Sequence, residues 1–433
     1  MRVLLTEMRR GEAKWAAALM GAVGVHHFTS EAPGDSDWIG WWNQTSLHVQ
    51  LFAVIVMGSV MSAAAAWGAG RPFRHRTHVW ADAAARNGWS QALLLWLAAW
   101  LWALIAYAVF IAVAFSRTSA VSDVSAPAWA PLLLGAAMMG LEIAVGVAIG
   151  SALPSRVVAP FAGLLWYSLF VFVGFVPDTP LAKLFPAIDE FWSSEFEPNS
   201  TRMLIAVVWC LALALVLTTL PALRRRAALA PRPLALGALT VVALVAGSTL
   251  VAFRTPVPDS YWAVRKEQPA HPLCAASGRT KVCLWPEDRH LLASARAAVQ
   301  TVDSSLGSLA GLNRGFYASG LKRPAGDTAE LSLMSPAVSR AELTDGMFTA
   351  ALPQPASSKC PPQLLDETGG YPDTFLFEAV VRARVGAPGE YYGDKFGRAL
   401  DRVTSAPRAK QDAWIEQAAK AIRACRPVPE LPR

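Results

Sequence analysis

Residues 90–115 read SQALLLWLAAWLWALIAYAVFIAVAF. The run holds no charged side chain and exceeds the roughly 20 apolar residues that a helix needs to cross the hydrocarbon core of a bilayer. A soluble surface helix would interrupt such a run with a polar stripe every third or fourth residue; here none exists, so lipid is the expected solvent. Six further runs of the same kind lie at 14–29, 47–69, 128–152, 157–176, 202–221 and 234–253. The run 14–29, with His26 and His27 near its end, is the weakest of the seven.

Composition agrees with this reading. Of 433 residues 54% are hydrophobic and 16% charged, whereas soluble proteins carry about a quarter charged residues. The long apolar runs all lie before residue 254, and the rest has a globular composition. The expected fold is an all-α membrane bundle of about seven helices followed by an α-rich or α+β domain. The corresponding divisions are 1–222 for a six-span core, 223–253 for a basic loop and seventh span, and 254–433 for the terminal domain.

The net charge of +7 does not point to nucleic acid, because the arginines sit in clusters beside apolar runs, where they set topology. One set of loops holds Arg2, Arg9, Arg10 and Lys14, then Arg71, Arg74, Arg76 and Arg86, then Arg156, then Arg224, Arg225, Arg226 and Arg232. The alternate set offers Arg117 and Lys183, with Arg202 at a border. The first set is therefore expected in the cytoplasm of a multi-pass protein of the cytoplasmic membrane, with the N-terminus inside and residues after about Phe253 outside. The N-terminal stretch lacks a small-residue cleavage site and is not read as a cleaved signal peptide.

Of five cysteines, Cys210 falls within a span, and Cys274, Cys283, Cys360 and Cys425 fall in the part assigned to the outside, where disulfides persist. Four cysteines allow three pairings. Proximity favours Cys274 with Cys283, leaving Cys360 with Cys425; four free buried thiols are the alternative.

Several local features bear on function. The loop after the second span, with Arg71, Arg74, Arg76, Trp80, Asp82 and Arg86, holds a short expected helix over about Thr77–Asn87 and reads either as a topogenic cluster or as a docking element. Between the fifth and sixth spans, Leu181, Leu184, Phe185, Ile188, Phe191 and Trp192 are interspersed with Asp178, Asp189, Glu190, Glu195 and Glu197, a pattern for short helices dipping into the interface. Glu142 is the one acidic residue deep inside an expected span; it reads either as a cavity-lining, proton-sensitive group or as a packing hydrogen bond. Gly146 and Gly150 on the same helix permit close helix approach. Tryptophans 38, 41, 42, 80, 89 and 129 fall near the expected span ends, where indole N–H groups meet water.

This arrangement resembles the permease subunits of type 2 ABC exporters, especially the actinobacterial ones with an extra C-terminal domain. The likeness covers about residues 1–222. It rests on the amphipathic N-terminus Met1–Lys14, the basic loop Arg71–Trp89, the short turn Pro154–Val157 and the amphipathic segment Leu181–Glu197, which includes Asp189, Glu190, Phe191 and Trp192. The resemblance implies that the first two elements are similar to the connecting and coupling helices that contact an ATPase, and that Leu181–Glu197 resembles the re-entrant helices closing the exit. No phosphate-cradling G-x-x-x-x-G-K-[ST] turn is present in the sequence. ATP and Mg would therefore be held by a separate ATPase subunit, with a second permease chain and membrane lipids as further partners. The chain itself is not read as an enzyme and no cofactor is assigned to it.

In the terminal domain, PEDRHLLASARAAVQTVDSSLGSLAGL (286–312) has helical spacing after a start set by Pro286, Glu287 and Asp288. Three later stretches, TFLFEAVVRARVG, YYGDKFGRALDRVTS and KQDAWIEQAAKAIRAC, also read as helices, and AELSLMS and GMFTAAL as strands. Neither H-E-x-x-H nor G-x-S-x-G occurs, and His271 and His290 lack acidic partners at ligand spacing, so the domain reads as a binding or gating module. A membrane-anchored receptor or sensor is the alternative for the whole chain.

Overall fold

The structure, a computed structural model, describes residues 2–32, 36–77, 88–122, 126–175, 194–224, 247, 261–265, 268–307, 309–333, 335–353, 373–386 and 393–430. The chain divides into two compact units, Met1–Trp192 with Phe196–Val264, and Ser193–Glu195 with Arg265–Arg433.

The first unit is helical. Its helices are α1 (Arg2–Arg10), α2 (Ala13–Ser30), α3 (Trp42–Arg74), α4 (Gly88–Ser119), α5 (Trp129–Ala152), α6 (Val158–Phe175) and α7 (Ser200–Arg224). A two-stranded antiparallel ladder pairs β1 (Phe196–Pro198) with β2 (Trp262–Val264). Among the described residues four helices are long and apolar enough to cross a membrane, spanning Trp42–Arg74, Trp89–Ser119, Trp129–Ala152 and Ser200–Thr219, and they mark the chain as a membrane protein. The expected spans at 14–29 and 157–176 form helices that are not among these four, and 234–253 lies outside the described residues apart from 247.

Large apolar side chains stand exposed around the bundle, among them Leu19, Ile105, Leu133, Phe161, Leu164 and Phe172. Such a surface is at home in lipid. Inside, α5 is the hub: Leu134, Met138, Leu141, Ile143 and Val147 are fully or almost fully buried. Within α3 the segment Phe52–Gly58 is π-helical. It coincides with three successive β-branched residues, Val54, Ile55 and Val56, whose stiff side chains disfavour the tighter α turn.

Trp129 stands 62% exposed at the start of α5, as expected of a span end, but for two of the other tryptophans the expectation needs correction. Trp38 and Trp41 are 0% and 3% exposed, and the Trp38 indole donates to Glu31 Oε2 at 2.7 Å instead of to water. The midspan tryptophans act as helix staples: Trp96 Nε1 donates to Gly140 O at 2.7 Å and Trp100 Nε1 to Ala136 O at 2.9 Å. One turn apart on α4, they stack on each other at 5.0 Å and tie α4 to α5.

The second unit combines a four-stranded mixed sheet with helices. Strand order is β3 (Leu273–Ser277), β4 (Thr280–Leu284), β5 (Gly315–Ala318), β6 (Thr328–Leu331), with β3–β4 antiparallel and the other pairs parallel. A 3₁₀ turn at Pro286–Leu291 leads into α8 (Leu292–Leu306), which crosses between the parallel strands β4 and β5. Ala295, Ala298, Val299, Val302 and Leu306 form its buried face. Three helices complete the unit after α9 (Arg340–Ala351): α10 (Asp373–Val385), α11 (Gly393–Thr404) and α12 (Arg408–Arg423).

GMFTAAL, expected as a strand, is the C-terminal part of α9. The helix starts at Ser339, whose hydroxyl accepts from Glu342 N at 3.2 Å while Glu342 Oε2 accepts from Ser339 N at 2.7 Å. This reciprocal cap satisfies two otherwise unpaired backbone donors and commits the following residues to helix. Ser339→Ala is expected to destabilise α9 by about 1 kcal/mol, read as faster amide exchange across residues 340–345.

Candidate functional site

Several buried polar atoms of the membrane unit lie along the face where α3 meets α5. Gln50, Gly58, Ser62, Ala66 and Gly70 of α3, spaced in multiples of four residues, supply this face. They meet α5 in order: Gln50 lies at Gly135, Gly58 at Glu142, Ser62 at Gly146 and Ala66 at Gly150. Numbers rise together on both helices, so α3 and α5 run parallel. A Cβ on Gly146 or Gly150 would overlap the backbone carbonyls of Ser62 and Ala66. The glycine pair seen in the sequence thus sets the close approach of two backbones.

Glu142 sits midway along this seam, 0% exposed, with its carboxyl pressed on Gly58 at the end of the π segment. Among the described residues neither of its oxygens has a hydrogen-bond partner, so the packing-hydrogen-bond alternative finds none here. The buried Ser62 Oγ, Gln50 Oε1 and Ser46 Oγ are likewise unpartnered among the described residues. At the N-terminal end of α3, His48 faces Asp37 at 3.6 Å, and Thr45 and Thr118 share a 2.6 Å hydrogen bond.

The opposite end of α3 carries the basic cluster. Arg71 pairs with Glu12 at 3.1 Å, Arg74 lies over the Trp67 ring at 4.4 Å and donates to Trp67 O at 2.6 Å, and Arg76 is exposed with φ +55°. Trp102 Nε1 donates to Met8 O at 3.0 Å, seating α1 on α4. Trp80, Asp82 and Arg86, and likewise Asp189, Glu190, Phe191 and Trp192, lie outside the described residues.

In the second unit, Cys274 and Cys283 face each other across β3 and β4 and are joined in a disulfide. Cys425 is also disulfide-bonded, and Cys360 lies outside the described residues. Residues 282–425 match the model of a domain of unknown function, DUF7224. That match lies inside the second unit and takes in α8 to α12. No curated protein and no solved structure matches the chain.

The DUF7224 region holds an open cavity of about 690 Å³ beside the edge strand β6, lined in part by Arg323, Glu330, Asn313 and Arg423, with Glu195 on its rim. Arg323 pairs with Glu330 at 3.4 Å, and Arg423 with Asp327 at 3.2 Å. Burial, with a contribution from nearby Glu330, raises the Glu195 carboxyl above its ordinary range. His290, read as a first-turn residue, lies in the 3₁₀ turn with Nε2 2.8 Å from Pro336 O. Among the described residues no three His, Cys, Asp or Glu side chains gather where a metal ion would bind.

Sequence reading found Glu142 and the two glycines but missed the unpartnered Ser46, Gln50 and Ser62. Their spacing in multiples of four residues on one apolar run was the available signal.

Proposed function

We propose that the chain is the permease subunit of an ABC exporter, moving an amphipathic or hydrophobic substrate across the cytoplasmic membrane with energy from a separate ATPase. One observation carries this reading: the Glu12–Arg71 ion pair at 3.1 Å brings the amphipathic N-terminal segment and the basic end of α3 to the same end of the bundle. In the exporter family that this layout resembles, these two elements together form the face that contacts the ATPase. About seven spans, a cytoplasmic N-terminus and an outer second unit belong to the same reading, supported by the arginine asymmetry and by the disulfides. Two permease chains would enclose the path.

The test is reconstitution with the co-purifying ATPase. Arg71→Glu together with Arg76→Glu is expected to leave ATP hydrolysis running while substrate export falls at least about tenfold, equivalent to roughly 1.4 kcal/mol of lost coupling. Unchanged export, or purification with no ATPase at all, overturns the reading. The polar cavity beside β6 favours a second reading, a membrane-anchored receptor whose DUF7224 region binds a charged ligand. That reading expects a stable complex with a signalling protein.

A further inference from the structure

We propose that the α3–α5 seam is an intramembrane proton-binding site, with Glu142 as the group that holds the proton. The inference stands on packing and chemistry and does not depend on the exporter reading.

A carboxylate at 0% exposure, with no hydrogen-bond donor among the described residues, has nothing to offset the loss of its hydration. The groups packed around it supply no positive charge. From α7, Cys210 hydrogen-bonds Met138 Sδ at 3.1 Å. From α4, Tyr107 donates to Leu132 O at 3.2 Å, and from α3, His48 faces Asp37 near the far end of the seam. On α6 the titratable Tyr167 is 49% exposed. Arg71, Arg74, Arg117 and Arg202 stand at the helix ends. In the closed seam Glu142 is therefore the neutral acid.

The same packing explains why the proton can leave. The carboxyl rests on Gly58, at the point where the π segment of α3 gives way to α-helical bonding, and π turns recur where helices serve a function. One turn beyond lies the unpartnered Ser62 hydroxyl, and two turns before lies Gln50 Oε1. Water admitted along this line finds hydrogen-bond partners, accepts the proton and solvates the carboxylate left behind: carboxylic acid and water become carboxylate and hydronium. Opening the seam and releasing the proton are thus two aspects of one event, and closing it takes a proton up.

The measurement is infrared spectroscopy on the full chain in lipid nanodiscs, combined with amide hydrogen exchange. At neutral pH the wild-type chain is expected to show a carboxylic-acid C=O band that Glu142→Gln removes. Glu142→Asp, which should shift that band without removing it, serves if the Gln variant fails to assemble. As pH is raised until the band disappears, amide exchange in α3 and α5 is expected to rise in step. No acid band attributable to Glu142 at neutral pH overturns the proposal. So does a band that responds to sodium but not to pH, since that marks a cation site, and so does exchange that stays constant while the band is lost.

Discussion

Gly146→Val, alone or with Gly150→Val, is expected to abolish the assembled membrane unit. Each valine would drive branched methyls into the backbone carbonyls of Ser62 and Ala66, atoms that cannot rotate away as a side chain would. Overpacking a core costs about 1–3 kcal/mol where side chains can adjust. Here the two helices must separate, so the upper figure or more applies, comparable to a large part of the stability of an ordinary domain. The readout is the yield of monodisperse protein after detergent extraction. Leu164→Val, at a side chain 55% exposed on the outer surface, is the matching control and should leave the yield unchanged. Equal yields for both would show that the α3–α5 approach carries little of the stability.

The second large effect is expected at Asp303. Its Oδ1 accepts from Arg279 N at 3.2 Å and Thr280 Oγ1 at 2.7 Å, and it is the nearest carboxylate to Arg314, at 3.9 Å. The Arg314 side chain is 8% exposed, and burial pulls its guanidinium below the usual arginine range while Asp303 opposes that shift. Removing one member of a buried ion pair costs about 3–5 kcal/mol. Because Arg314 keeps its bonds to Gly307 O and Leu309 O, and Asp303 is itself partly exposed, Asp303→Ala is expected to cost about 2–3 kcal/mol. Asp303→Asn, which retains the acceptor for the β3–β4 turn, should recover part of that loss. Amide exchange within β4 measures both, and equal protection in all three proteins would refute the assignment.

These two sites differ in how far the sequence announced them. Gly146 and Gly150 were visible as a small-residue pair, and the apolar runs around them were visible as helices, because solvation by lipid imprints itself on every residue of a span. Glu142 was visible for the same reason: one acid in an otherwise apolar helix has no camouflage. What it touches was not visible, since pairing between helices depends on angles that a linear pattern does not encode.

In the second unit the long helices α8, α10, α11 and α12 were legible from periodicity, whereas β3, β4 and β5 were not. Their strands are four or five residues long and adjoin turns at Gly278 and Gly320, both with positive φ, so no sustained alternation develops. GMFTAAL, expected as a strand, is helical because the Ser339–Glu342 cap seven residues upstream starts a helix that runs through it. Local propensity lost to a boundary signal. The same limit hid Asp303, an ordinary polar residue on α8 until the hairpin turn and Arg314 converge on it.

The π segment of α3 has a geometric consequence for the whole bundle. In a regular α-helix each residue advances the azimuth by about 100°, so positions four apart precess by about 40° per step. Over the run from Ser46 to Gly70 that precession would carry the contact line well round the helix, away from any straight neighbour. A stretch closed by wider turns winds back against it. Phe52–Gly58 thus acts as a phase corrector, keeping Gln50 and Ala66 on one meridian so that both address the same parallel partner. Excising a single residue there would leave both halves helical but turned rather more than a quarter of a revolution out of step, about 100°.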